Sequence, residues 1–268
     1  MNKIDFTRFA DLDYTGDEAL NTLCTNLTFA GEGVSRIMMT SCHASEGKSL
    51  ISMNMMRTFA RLGKRVVLVD ADLRRSVLLA RYGGRVQKGA QFGLTHYLAG
   101  MCSAEDALYE TNISGAYIVP VGREVGNSLS LLTSQKLSQL LEWLDSKFDF
   151  VLVDAPPVGM IIDAAEIAKS CDGVVFVINY NSVSRREMLE AKKQIERTGC
   201  QILGAVLNNV SFDTIASKKY YYKSYYNAHY ESDYYQRSAP KSNPKSNPKS
   251  ASGAKSANRA GSASKRPR

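Results

Sequence analysis

The chain has 268 residues, 44% of them hydrophobic, enough to bury one sizeable core in one domain or at most two. Its formal charge of +8 is local: residues 238–268 hold eight Lys/Arg and no acid, and residues 1–237 carry 26 of each sign. The basic balance therefore describes a tail, and no nucleic-acid partner is expected of the folded part.

The N-terminal segment mixes acids and bases without an apolar core, and no later apolar run approaches the ~18–20 residues of a membrane span. A cytoplasmic protein is expected. Five cysteines (Cys24, Cys42, Cys102, Cys171, Cys200) are scattered without C-x-x-C spacing, which argues against a zinc site or a disulfide framework.

In chain order, Arg36–Thr40 reads as a strand and leads into Ser41-Cys-His-Ala-Ser-Glu-Gly-Lys-Ser49, which opens a helical pattern over Leu50–Leu62. A phosphate loop needs backbone N–H groups and a helix N-terminus aimed at the anion, a lysine for β/γ oxygens and a hydroxyl for Mg²⁺. Gly47, Lys48 and Ser49 supply these parts, although Cys42 replaces the usual first glycine or alanine. Val66–Val69 is the next strand, with Asp70, Asp72 and Arg74 following it. Ala116–Pro120 reads as a strand, Ser134–Lys147 as a helix and Phe150–Val153 as a strand that delivers Asp154-Ala-Pro-Pro157. A helix over Ile161–Ser170, a strand over Gly173–Ile178, a helix over Arg185–Thr198 and a strand over Ile202–Leu207 complete the pattern.

Apolar runs that do not alternate fit parallel strands covered on both faces. The expected fold is α/β, a P-loop NTPase-like, mostly parallel sheet with helices on both faces, plus a disordered C-terminal tail. In such sheets ligands bind at the C-terminal edge, where Asp70, Asp72 and Asp154 all fall beside G-K-S, so a Mg-nucleotide site is expected. No N-K-x-D guanine signature is present, which favours ATP.

After Val210 the composition changes. Residues 218–235, KKYYYKSYYNAHYESDYY, hold eight of the fourteen tyrosines: Tyr220, Tyr221, Tyr222, Tyr225, Tyr226, Tyr230, Tyr234 and Tyr235. Beyond them a PKSN repeat with almost no apolar side chain is too polar to order. The boundaries drawn are 1–215 for a nucleotide-binding domain, 216–237 for the tyrosine-rich tail and 238–268 for a basic low-complexity segment.

With the loop Ser41–Ser49, Leu68-Val-Asp70-Ala-Asp72-Leu-Arg74, Leu152-Val-Asp154-Ala-Pro156-Pro157, Gly204-Ala-Val-Leu-Asn208 and the tyrosine tail, the chain resembles the bacterial tyrosine kinases of capsular and exopolysaccharide synthesis. Specifically, it resembles the soluble type that works with a separate membrane adaptor at the inner face of the cell membrane. The resemblance implies autophosphorylation of the tail tyrosines with Mg-ATP. It places ATP contacts on Ser45, Glu46, Gly47, Lys48, Ser49 and Leu50, and metal contacts on Ser49, Asp70 and Asp154. Lys48, Asp70, Asp72 and Asp154 are the implied catalytic set, Asp70 accepting the phenolic proton. Asn208 is either an adenine contact or a turn-forming asparagine, and Arg74 either a phosphate contact or a surface ion pair. Family members resemble Glu-x-x-Arg-x-x-Arg near the N-terminus, in a helix linked to ring assembly. Here Glu18, Asn21 and Cys24 occupy that frame, so self-association with phosphorylation between copies is expected to be weakened. The basic tail is a candidate for contact with phosphotyrosines or an anionic membrane. Two other functions stay open: a partitioning-type ATPase switch, against which His43 stands where those proteins carry a second lysine, and an ATP-binding regulatory scaffold without kinase activity.

Overall fold

The computed structural model describes residues 2–9, 12–31, 33–87, 91–123, 125 and 127–210. The first elements are β1 (Asn2–Asp5), α1 (Tyr14–Thr28), β2 (Arg36–Thr40), α2 (Lys48–Arg61), β3 (Val66–Asp70), α3 (Leu78–Tyr82) and β4 (Arg85–Val86). They are followed by α4 (Leu94–Leu98), α5 (Ala104–Ala107), β5 (Tyr109–Thr111), β6 (Ala116–Val119), α6 (Leu129–Leu132) and α7 (Gln135–Asp145). The last are β7 (Phe150–Asp154), α8 (Asp163–Ala168), β8 (Gly173–Asn179), α9 (Arg185–Glu196) and β9 (Gln201–Asn208).

The strands form one sheet in the order β4-β1-β5-β6-β3-β7-β2-β8-β9. Pairing is parallel except for β1 with β4 and β5 with β6. The central strands carry uninterrupted apolar runs, Ile37–Met39, Val66–Val69 and Phe150–Val153, because the sheet is covered on both faces. Val66 and Leu68 of β3 join Met53, Met56 and Phe59 of α2 and Leu20 and Cys24 of α1 in one core. Val67 and Val69 turn to the other face, where Leu137, Leu140, Leu141 and Leu144 of α7 and Ile167 and Ile195 of α8 and α9 cover them. The i, i+3, i+4, i+7 spacing of the α7 leucines places all four on one stripe.

All six strands expected from apolar runs are present. The phosphate-loop helix begins two residues earlier than its pattern suggests, at Lys48, because Gly47 takes φ 95° and turns the chain directly into the helix. The helix expected over Ile161–Ser170 is shorter, Asp163–Ala168. Strands β1, β4 and β5 carry too few apolar residues to signal themselves: β1 contributes only Ile4 to the core. In α1, Cys24 is buried with its thiol toward the Met55 carbonyl, so this position offers no surface group to a neighbouring copy. The tyrosine-rich and basic segments lie outside the described residues, and the compact unit that carries the sheet spans Met1–Ser211.

Phe59 of α2 stacks on Phe150 of β7 with ring centroids 4.2 Å apart, both in the α1/α2 core. Phe59→Ala is expected to cost about 3–5 kcal/mol, from lost burial, the cavity left behind and the lost ring contact. Urea unfolding followed by circular dichroism measures it.

Candidate active site

The loop between β2 and α2 is fixed from three sides. Thr40 at the end of β2 donates its hydroxyl to the Pro156 carbonyl at 2.8 Å and accepts from the Val158 N–H at 3.2 Å, joining the loop to the segment after β7. Glu46 is 2% exposed, and its carboxylate accepts from the His43 N–H at 2.7 Å and the Asn179 N–H at 3.2 Å. Asn208, the last residue of β9, donates its side-chain amide to the Glu46 carbonyl at 3.0 Å. A Cβ on residue 47 would sit 2.1 Å from that amide nitrogen, and φ 95° disfavours any side chain there. Ser45 is held at φ 65°, a left-handed backbone uncommon for a serine.

These ties leave the start of α2 without a side-chain cap, so the first-turn N–H groups of this 14-residue helix are free to meet an anion. Beside it, Asp70 and Asp154 end the adjacent strands β3 and β7 in register. Asp70 is 1% exposed and Asp154 2%. Burial pushes the Asp70 carboxyl well above the usual carboxylate range and the charge of Asp154 adds to this, while the Ser76 hydroxyl, bonded to its Oδ2, opposes it. Burial raises Asp154 too, offset by the Ser49 hydroxyl, Lys48 and the Ser52 hydroxyl, which lies 3.1 Å from Oδ1. The Asp70 Oδ1 is buried with no hydrogen-bond partner. An orphaned carboxylate oxygen beside a second carboxylate, a lysine and a serine hydroxyl fits a divalent cation. Among the described residues no three His, Cys, Asp or Glu side chains form a metal cage.

A cleft of about 520 Å³ opens over this centre, lined by Lys48, Ser49 and Asp72 together with arginines and apolar side chains. Asp72 also accepts the Arg75 N–H at 3.0 Å, so part of its work is to shape the loop after β3. Arg74 forms a two-point ion pair with Asp163, at 2.8 and 3.1 Å. Asp163 is 1% exposed; burial alone would raise its carboxyl, but Arg74 and the Ser128 hydroxyl outweigh that and hold it low. The ion-pair reading of Arg74 is thus present, with a buried rather than a surface partner.

Other expected residues are placed differently from one another. Glu46 sends its carboxylate into the protein, so it braces the loop and leaves only backbone for a phosphate. Asn208 is likewise a brace of the loop and not a turn former; the left-handed residue after the strand is Asn209, at φ 57°. His43 pairs with Glu187 of α9 at 3.2 Å. Cys42 lies buried against the Met188 sulfur, its thiol pushed up to about 11 by burial, which makes it a poor nucleophile. Sequence reasoning missed Ser52 and Ser76. Ser52 stands four residues after Lys48, on the same helix face, and that spacing is a usable signal. Ser76 depends on the course of a loop and has none.

The topology, the braced loop and the paired acids define a P-loop NTPase-type protein. An AAA domain family model matches residues 34–201. The chain is 35% identical over 220 residues to the tyrosine-protein kinase CpsD of Streptococcus pneumoniae serotype 4, covering 82% of this chain and 92% of that protein. Among solved structures, the kinase domain of Escherichia coli tyrosine kinase ETK superposes with a TM-score of 0.68 at 29% identity, over 74% of this chain and 77% of that one. The septum site-determining protein MinD of Pyrococcus horikoshii, complexed with Mg-ADP, superposes with a TM-score of 0.56 at 26% identity, over 68% and 75%. The chain belongs to the bacterial tyrosine-protein kinases of capsule and exopolysaccharide synthesis.

A carboxyl whose folded pKa lies above its unfolded value destabilises the fold. The penalty is absent below the ordinary carboxylate range, where both states are protonated, and complete above the raised value. Asp70→Asn is therefore expected to raise the melting temperature of the ligand-free protein at pH 7.5 by a few degrees, the shift that about 1 kcal/mol produces in a fold of this size. The gain shrinks toward pH 4. Melting curves across that range check it, together with loss of Mg²⁺-dependent nucleotide binding.

Proposed function

We propose that the chain uses Mg-ATP to phosphorylate tyrosines, its own Tyr220, Tyr221, Tyr222, Tyr225, Tyr226, Tyr230, Tyr234 and Tyr235 among them, in control of capsular or exopolysaccharide synthesis. The observation that carries the nucleotide half is the partnerless Asp70 Oδ1, on a residue in register with Asp154, beside an uncapped helix N-terminus. The kinase half rests on kinship with tyrosine-protein kinases and on a tyrosine cluster that begins twelve residues after Asn208 at the loop.

Bound Mg²⁺ would draw charge from the β- and γ-phosphates as the phosphoryl group leaves ADP. The N–H groups of the loop and of Lys48, Ser49 and Leu50 hold the phosphates, and Ser45, Glu46 and Gly47 contribute backbone alone. The Lys48 ammonium takes β/γ oxygens. Ser49, Asp70 and Asp154 would hold the metal, with Ser52 fixing the Asp154 carboxylate. Asp70 and Asp72 orient the incoming phenol. As the phenolic oxygen bonds to phosphorus and the bridging bond to ADP breaks, the phenolic proton passes to Asp70. A carboxylate is a weak base for a phenol of pKa ≈ 10, so proton capture comes late and positioning does most of the catalysis. Asn208 sets the loop and contacts adenine with the amide oxygen it has left.

In the domain scheme that goes with this mechanism, residues 1–215 are the kinase, 216–237 the acceptor tail and 238–268 a basic segment for counter-charge or membrane contact. No helix of the described residues is long and apolar enough to cross a membrane, so a membrane adaptor would supply recruitment. Copies phosphorylate one another, with weak assembly through α1. The partitioning-switch reading loses support because His43 is engaged with Glu187 of its own chain.

Incubation with Mg-ATP and the adaptor's cytoplasmic segment should label Tyr220–Tyr235, read by mass spectrometry. Lys48→Met should lower the rate by roughly a hundred-fold or more. An unlabelled tail in the wild-type protein would defeat the kinase proposal.

A further inference from the structure

The cleft over the nucleotide site has more cations than its chemistry employs. Lys48 is committed to phosphate in the mechanism above, and Arg74 to the buried Asp163. Arg75 and Arg81 line the same cleft, are exposed, and have no side-chain hydrogen bond or ion pair among the described residues. Among the described residues, the one acid lining the cleft is Asp72. The cleft also has an apolar side. Val77 and Met160 line it at 44% and 61% exposure, with Ile161 next to them. Solvent-facing apolar groups at the mouth of a reaction site suit an aromatic ring.

The tyrosine cluster divides by charge. Tyr220, Tyr221 and Tyr222 lie between Lys218, Lys219 and Lys223 with no acid among them. Tyr230, Tyr234 and Tyr235 surround Glu231 and Asp233. A cleft with two unpaired arginines attracts the second group and repels the first.

Resting on the kinase reading, we infer that Arg75 and Arg81 are specificity determinants that make the cleft select tyrosines flanked by acids, the acceptor segment being Tyr230–Tyr235 of a second copy seated against Val77, Met160 and Ile161. Each new phosphotyrosine adds about −1.5 to −2 of charge. Labelling therefore spreads from the acidic end of the cluster and improves the Lys-flanked tyrosines as acceptors only after it has begun.

Two synthetic peptides test this free of their distance from the fold: residues 218–224 and residues 229–236, each with three tyrosines, mixed in equal amounts with the full-length kinase, the adaptor's cytoplasmic segment and Mg-ATP. Phosphotyrosine on each peptide, and on the kinase's own tail, is read by mass spectrometry over time. The expected result is a preference of roughly five-fold for the acidic peptide, the size of a few exposed charge contacts, falling with added salt. The Arg75→Glu/Arg81→Glu double variant, with both positions on the surface, should abolish or invert it. Val77→Ser/Met160→Ser should slow both peptides through KM and leave their ratio unchanged. Equal labelling, a preference for the Lys-rich peptide, or a preference that survives the arginine variant overturns the inference. So does an equal loss on both peptides in the arginine variant, which would assign those cations to the nucleotide. A labelled tail with neither peptide labelled overturns it as well. An unlabelled tail in the wild-type kinase strikes the kinase reading itself.

Discussion

Two carboxylates buried side by side, Asp70 and Asp154, set the terms for the rest of this protein. They are placed at the ends of adjacent central strands, where burial raises both and the charge of Asp154 raises Asp70 further. Nothing in the apolar core rewards that arrangement. It persists because β3 and β7 are covered on both faces, so the strand ends cannot withdraw into solvent without unpacking Val66–Val69 and Val151–Val153. The strain is relieved unequally. Asp154 has Ser49, Ser52 and Lys48, whereas Asp70 has Ser76 on one oxygen and nothing on the other. That imbalance gives the site an appetite for a cation, and it makes the ligand-free fold less stable than a neutral substitute would be.

The loop opposite these acids is held by groups that themselves do no chemistry. Glu46 ties it to the end of β8, Asn208 ties it to the end of β9, and Thr40 ties β2 to the turn after β7. The three ties converge from separate strands on one short segment, and this is how a parallel sheet turns its C-terminal edge into a rigid anion site. The cost in sequence freedom is concentrated at Gly47, where the Asn208 amide occupies the space of a side chain. A loop fixed in this way can keep its N–H groups aimed at phosphate while the residues around the cleft mouth vary.

The central strands were legible because their physical cause is simple: burial on both faces writes uninterrupted apolar runs, although β9, an edge strand with no buried residue, carried such a run too. The paired acids were legible for a similar reason, since each follows such a run directly. Strands β1, β4 and β5 were not, because edge-side strands of two to four residues carry hardly any pattern of their own and form by pairing. The bracing role of the Glu46 side chain was not legible for a related reason: the backbone turns its carboxylate inward, and no local feature of the sequence announces that turn. Arg74 shows the limit most clearly. Its partner Asp163 lies 89 residues further on, and only the packing of α8 against the loop after β3 brings them together.

That ion pair also divides the cleft into two electrostatic parts. By neutralising Arg74 in a bidentate contact, Asp163 removes one cation from the nucleotide's neighbourhood and fixes the segment that carries Arg75 and Val77. The Asp72 carboxylate holds the same segment through the Arg75 N–H, so one short stretch after β3 is anchored twice by acids. In the proposed mechanism phosphate chemistry falls to the loop and to Lys48, on the rigid sheet edge. The mouth of the cleft retains exposed arginines and apolar side chains on a separate support. A kinase that must bind the same nucleotide every time but accept many tyrosines from one cluster gains from that separation. The phosphate side tolerates little change, as Gly47 and the buried acids show, whereas the mouth can alter its charge without disturbing the transfer step.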